Sequence, residues 1–258
     1  MKKNPFKRIL CIVIAAVMLC SVFASTAAAA TKCACGHSPV VMISGFGATI
    51  LSEKQEDGSL KRVFPPDTKE ILKLLGVNAP DLVTGIIELL AQKGTDGIEK
   101  PMREIITSIV EPLRMNDDGT SYYDIVPILS GAKNTSLEAF TKNDQLDLVP
   151  YTGSEFLDME VIGDEIGDDH VFNFLYDWRL SHADVAAQLH DYLAEVCALT
   201  GHDKVSVYSI SQGSLLLGVY MYEYPDDNYI DRAVFDTPLL AGSNLVSDLY
   251  TDLSLIHI

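Results

Sequence analysis

From His170 onward the chain alternates short apolar, β-branched runs with amphipathic segments of helical length, and few folds accept that order. Val171-Phe172-Asn173-Phe174-Leu175-Tyr176 predicts a strand. Ala183 to Leu199 predicts a helix whose Val185, Leu189, Leu193, Val196 and Cys197 share a face, with Gly201 as its stop. Lys204 to Ser209 predicts a second strand, Gly213 to Tyr224 a helix ended by Pro225, and Arg232 to Phe235 a third strand. Strands separated by single helices need crossover connections, so they pair in parallel. The expected fold class is α/β. An earlier run, Pro39 to Ser44, reads as a further buried strand that opens into a tight loop at Gly45-Phe46-Gly47.

Between these parts, residues 52–165 behave differently. Turn clusters at Gln55-Glu56-Asp57-Gly58 and Asn116-Asp117-Asp118-Gly119 bracket two amphipathic segments. One runs from Asp81 to Gln92, with Leu82, Val83, Ile86, Ile87, Leu89 and Leu90 crowded on one side. The other runs from Pro101 to Val110, with Pro101 in the first turn and Met102, Ile105, Ile106 and Ile109 on one face. The block reads as a cap inserted into the core. The expected division is residues 1–30 as a signal peptide, 31–51 as first core strand and loop, 52–165 as cap, and 166–252 as core.

Charge excludes one class of partner. The 258 residues carry a formal net charge of −17, and the first 30 hold Lys2, Lys3, Lys7 and Arg8 with no acid, so their removal leaves −21. A surface that acidic repels phosphate backbones, and nucleic acid is not expected as a partner. The leader has the form of an export signal: a basic start, an apolar run from Ile9 to Phe23, and small residues at Ala27 to Ala30. That run is too short to span a membrane comfortably. Leu19 before Cys20 argues against lipoprotein processing. A secreted or surface-displayed bacterial protein is expected. Cleavage leaves Cys33, Cys35 and Cys197. Cys33 and Cys35 with His37 suggest a metal, but a lone Cys-x-Cys lacks the second ligand pair of a zinc site. No metal and no cofactor are therefore expected, and a disulfide involving Cys197 stays open.

The chemistry concentrates in Val205-Ser206-Val207-Tyr208-Ser209-Ile210-Ser211-Gln212-Gly213. Strand, sharp turn and helix around a serine are the context of a nucleophile elbow, which lifts the hydroxyl above the sheet. The flanking residues two positions away must be small because strand and helix pass closely. Gly213 meets this condition, and Ser209 stands where the usual pattern has its first glycine. The Gln212 amide, at the helix N-terminus, is expected as one oxyanion donor, and the Phe46 amide from the earlier loop as the other. Both segments also have plain readings, a tight turn for Gly45 and Gly47 and an ordinary helix start for Gln212.

Together these segments resemble the lecithin:cholesterol acyltransferase-like branch of the α/β-hydrolases. Residues 39–51 are similar to that family's opening strand and oxyanion loop. Tyr176-Asp177-Trp178-Arg179 is similar to its Tyr-Asp-Trp-Arg signature, and Thr237-Pro238 with Gly242-Ser243 to its Pro-x-Gly-Gly-Ser stretch at a wider spacing. Taken alone, Asp177 and Arg179 read as a structural ion pair and Trp178 as a core filler. The resemblance implies an α/β-hydrolase fold, an acyl-enzyme on Ser211, and an acyl-ester or lipid substrate met at a membrane surface through the cap. It also implies an acid and a histidine that follow the serine in sequence. His170, His182, His190 and His202 all precede Ser211, with His182 and His190 reading as helix-surface residues. Asp236, at the end of the third strand, is an alternative acid.

The last residues, Leu253 to Ile258, are similar to a translated transposon mosaic-end adapter. On that reading the gene continued past Asp252, the fold is incomplete at its C-terminus, and the acid and histidine lie downstream. The chain as it stands is then expected to be inactive. The expected function of the intact protein is ester hydrolysis or acyl transfer. A non-catalytic surface-binding protein on a hydrolase scaffold, and an amide or peptide hydrolase, remain the alternatives.

Overall fold

Residues 33–91, 94–148 and 157–242 are described in a computed structural model of the chain. The leader, Gln92 at the end of the first expected cap segment, residues 149–156, and the segment holding Ser243 and His257 lie outside them. Strands β1 (Val40–Ile43), β2 (Leu51–Lys54) and β3 (Leu60–Phe64) come first, then helices α1 (Thr68–Leu90) and α2 (Asp96–Val110). Strand β4 (Ile125–Pro127) and helices α3 (Leu137–Lys142) and α4 (Leu157–Ile166) follow. The chain then alternates β5 (Val171–Phe174), α5 (His182–Thr200), β6 (Val205–Ile210), α6 (Gln212–Glu223) and β7 (Ile230–Asp236).

The alternation expected after His170 is present, and it builds a parallel sheet in the order β5-β1-β6-β7. Period-two burial covers both faces. Val41, Ile43, Phe172, Phe174, Val205 and Val207 pack with α5 and α6, while Met42 and Val171 turn the other way onto Leu137 of α3 and Met159 of α4. Helix α5 buries Val185, Leu189, Leu193, Val196 and Cys197 and ends at Gly201, whose φ of 70° is the left-handed conformation that suits glycine.

The stretch between β2 and β5 carries its own antiparallel sheet, β3-β2-β4, and a hairpin of α1 against α2. Leu51, Val63, Ile125 and Ala132 nonetheless join the main core. Both hairpin helices start earlier than their amphipathic segments. Asp67 caps α1 by accepting from the Lys69 amide, and the helix continues through Pro80. Helix α2 starts at Asp96, so Pro101 lies inside it and not in its first turn. The hairpin closes backbone to backbone, since a Cβ on Gly85 would lie 2.3 Å from the Gly97 carbonyl oxygen. The expected apolar face of α2 is divided: Ile105 is buried and Met102 and Ile106 are exposed. On α1, Leu72, Leu75, Val83, Ile86 and Leu90 recur at helical spacing and are all exposed. Among the described residues no helix is long and apolar enough to cross a membrane.

Candidate active site

Ser211 follows β6 and stands at the N-cap position of α6 with φ 53° and ψ −116°, a backbone conformation that non-glycine residues seldom adopt. Its amide donates to the Asp236 carbonyl at 3.0 Å, continuing the β6–β7 ladder into the turn. Its carbonyl then accepts from Ser214 in the first turn of α6.

The residues two positions away meet the demand for small size by different means. A Cβ on Gly213 would lie 2.4 Å from the Ile43 carbonyl oxygen and 2.6 Å from that of Ser44, so no other residue fits without moving β1. Ser209 is fully buried, and its hydroxyl donates to the Val234 carbonyl at 2.9 Å beside Ser214 Oγ at 3.1 Å. Its side chain is thus tied down among β6, β7 and α6. Ser214 was no part of the sequence expectation; only its place five residues after Ser209 could have suggested it.

The Gly45 loop lies against the serine side chain. A Cβ on Gly45 would be 3.1 Å from Ser211 Cβ and 3.6 Å from its Oγ. Among the described residues neither the Phe46 amide nor the Gln212 amide donates a hydrogen bond. The Gln212 side chain reaches away, its Nε2 donating to the Trp178 carbonyl at 2.8 Å.

Tyr176 to Arg179 scaffold that loop. The Tyr176 hydroxyl donates to the Ser44 carbonyl at 2.8 Å, and burial pushes its pKa well up, so it stays a donor. Trp178 Nε1 donates to the Thr49 carbonyl at 3.3 Å, and its ring meets Phe46 edge to face with centroids 4.4 Å apart. Arg179 and Asp177 form a buried ion pair at 2.6 Å, and Arg179 Nη2 also donates to Ser121 Oγ at 2.9 Å. The carbonyls of Ser44 and Thr49 are the acceptors that make this scaffold work.

The histidines stand elsewhere. His190 Nδ1 is 2.6 Å from Asp227, and the ring stacks on Tyr224. His182 is half-buried, with its Nε2 enclosed and without a partner among the described residues, and its pKa lowered by burial. Neither is the plain surface residue expected, because each begins or lines a helix packed on the fold. Among the described residues no histidine hydrogen-bonds to Ser211. Asp236 accepts from the Tyr208 hydroxyl at 2.5 Å.

A second cluster corrects the view that Cys33 and Cys35 lack further ligands. His170 and His202, far away in sequence, approach both thiols, while His37 offers only its carbonyl oxygen to Cys35. All three described cysteines, Cys197 included, are free thiols.

No protein-family model matches the chain, and no curated protein does. What can be said of its chemistry therefore rests on the geometry around Ser211.

Proposed function

We propose that this chain is the core of an exported serine hydrolase of the α/β-hydrolase type, acting on carboxylic esters of lipid character. The observation that carries the reading is Ser211's left-handed turn between β6 and α6 with the Gly45 loop against its side chain. Ser211 Oγ bonds to the ester carbonyl carbon while a histidine takes its proton. The carbonyl π electrons move to oxygen, and the Phe46 and Gln212 amides hold the resulting oxyanion. Collapse expels the alcohol, which takes up the proton and leaves an acyl-serine. Water or a second alcohol then releases the acyl group. The base is a histidine held by an acid, the partners that the family resemblance implies for Ser211.

The lipid preference is supported by the exposed apolar stripe on α1, where Leu72 is 62%, Val83 56% and Leu90 78% accessible. A patch of that kind suits a lipid surface.

The test uses the full chain as it is expressed. A serine-directed fluorophosphonate labels wild type and not Ser211→Ala, and ester turnover falls by about 10⁴-fold or more in the variant. Equal labelling of both overturns the assignment. Long-chain esters are preferred over short ones and over peptides, and wild type floats with zwitterionic vesicles. Val83→Glu with Leu90→Glu weakens that flotation by about tenfold or more. Preferential cleavage of peptides would overturn the lipid reading.

A further inference from the structure

The strands of the parallel sheet all run the same way, so their N-terminal ends meet at the end opposite Ser211. Cys33 and Cys35 lie just before β1, His170 immediately before β5, and His202 just before β6. These three strands are neighbours in the sheet. The four side chains accordingly converge, with every donor atom within 4.8 Å of the others. The His170 Nε2 atom lies 3.8 Å from Cys33 Sγ and 3.6 Å from Cys35 Sγ, and His202 Nε2 lies 3.3 Å from Cys35 Sγ.

We propose that this cluster is a structural zinc site, with Cys33, Cys35, His170 and His202 as its four ligands. A tetrahedral Zn²⁺ with Zn–S near 2.3 Å and Zn–N near 2.0–2.1 Å sets its sulfur and nitrogen donors about 3.5 Å apart. The three sulfur–nitrogen separations centre on that value. The two imidazole rings stand nearly perpendicular, at 86°, so their nitrogens approach a common point from different directions. Two thiolates and two neutral imidazoles are a ligand set that suits zinc among the divalent ions.

The surroundings fit the same reading. Asp169 Oδ1 is 2.8 Å from His170 Nδ1, which fixes the ring with Nε2 turned to the thiols. A carboxylate behind a ligating histidine orients it and raises its basicity. The Cys33 amide donates to the Gly201 carbonyl at 3.1 Å, anchoring the N-terminal segment beside the turn that carries His202. A cavity of about 600 Å³ opens beside Cys33, Asp169 and His170 and gives an ion a path in. With four protein ligands no position is left for substrate, and the site lies at the wrong end of the sheet for the chemistry at Ser211. Its role is to clamp the segment before β1 onto the starts of β5 and β6.

The test is metal binding by the reduced chain. Elemental analysis after dialysis against a weak chelator gives about one zinc per chain, and zinc raises the melting temperature over the chelator-treated protein. Cobalt in its place gives the near-ultraviolet thiolate-to-metal band and the intense visible bands of a tetrahedral thiolate site. Asp169→Asn weakens zinc binding by about 10–100-fold, and Cys35→Ser with His202→Ala removes stoichiometric binding. Substoichiometric zinc in the reduced wild type overturns the proposal. So does a cobalt spectrum without the thiolate band, or unchanged affinity in the double variant. The wild-type cobalt spectrum decides the matter even where the double variant does not fold.

Discussion

Gln212 Nε2 donates to the Trp178 carbonyl across 2.8 Å, and the Trp178 ring meets Phe46 at 4.4 Å between centroids. One residue thereby bears on both segments from which oxyanion donors would come. Trp178 is also the single tryptophan of the chain. Its emission should report directly on the Gly45–Phe46 loop.

Phe46→Ala tests that link. The Phe46 ring is 69% accessible, so its loss should cost less than about 1 kcal/mol in stability. The Trp178 emission should nevertheless shift to longer wavelength, because one of its two aromatic neighbours is gone and water reaches the indole. Steady-state fluorescence of the folded variant measures the shift. Since the proposed donor is the backbone amide, fluorophosphonate labelling should persist in this variant.

Substitution at either small position beside Ser211 should destabilise the chain, one by adding bulk and the other by removing a hydrogen bond. Gly213→Ala drives a methyl into the carbonyl oxygens of Ile43 and Ser44, which backbone cannot yield cheaply. A loss of about 2–3 kcal/mol is expected from such overpacking. Ser209→Gly restores the usual residue of an elbow yet removes the hydroxyl that donates to Val234. It should destabilise by about 1 kcal/mol. Urea denaturation midpoints of the two variants decide both.

Asp177 and Arg179 are nearly sealed from solvent, with side chains 3% and 5% accessible. Breaking such a pair from one side leaves a buried charge alone. Arg179→Met should therefore cost about 3–5 kcal/mol, while Arg179→Met with Asp177→Asn should cost less than that single change. A double-mutant cycle measured by chemical denaturation gives the coupling. Additive losses would mean that the two charges do not depend on each other.

Burial pushes the Cys197 thiol up to about 11 from an ordinary value of 9.0. The folded chain thus keeps a proton that the unfolded chain gives up as pH passes 9. Stability contributed by the neutral thiol is complete below that pH and is lost as pH rises from about 9 towards 11. The slope is about 1 kcal/mol per pH unit, and Cys197→Ala should flatten it between pH 9 and 10. Unfolding free energies taken across that range provide the measure. The buried tyrosines Tyr176, Tyr192 and Tyr220 shift in the same direction and add to the fall at higher pH.

The α/β core was legible because it is written in local periodicity. The face of α5 runs through Val185, Leu189, Leu193 and Val196, and Gly201 supplies its stop, so each element announces itself within one or two turns. The helix starts of the hairpin were not legible. The amphipathic segments read from Asp81 and Pro101, but the helices start at Thr68 and Asp96 and meet where Gly85 and Gly97 let them approach. The turn at Ser211 could be read from strand, serine and glycine in series. What holds it could not, since Ser44, Thr49 and Val234 act through backbone carbonyls that any sequence would supply. The same limit hid the Cys33–His170–His202 cluster, whose ligands come together only because β1 lies between β5 and β6.

At position 211 the backbone sits where glycine is comfortable and serine is not, a penalty of about 1–3 kcal/mol. Exchange for glycine would give the more durable protein, and exchange for alanine would not, since alanine keeps the penalty. A chain shaped for persistence alone would have no reason to hold a hydroxyl there. Endurance and reactivity pull against each other at this single residue.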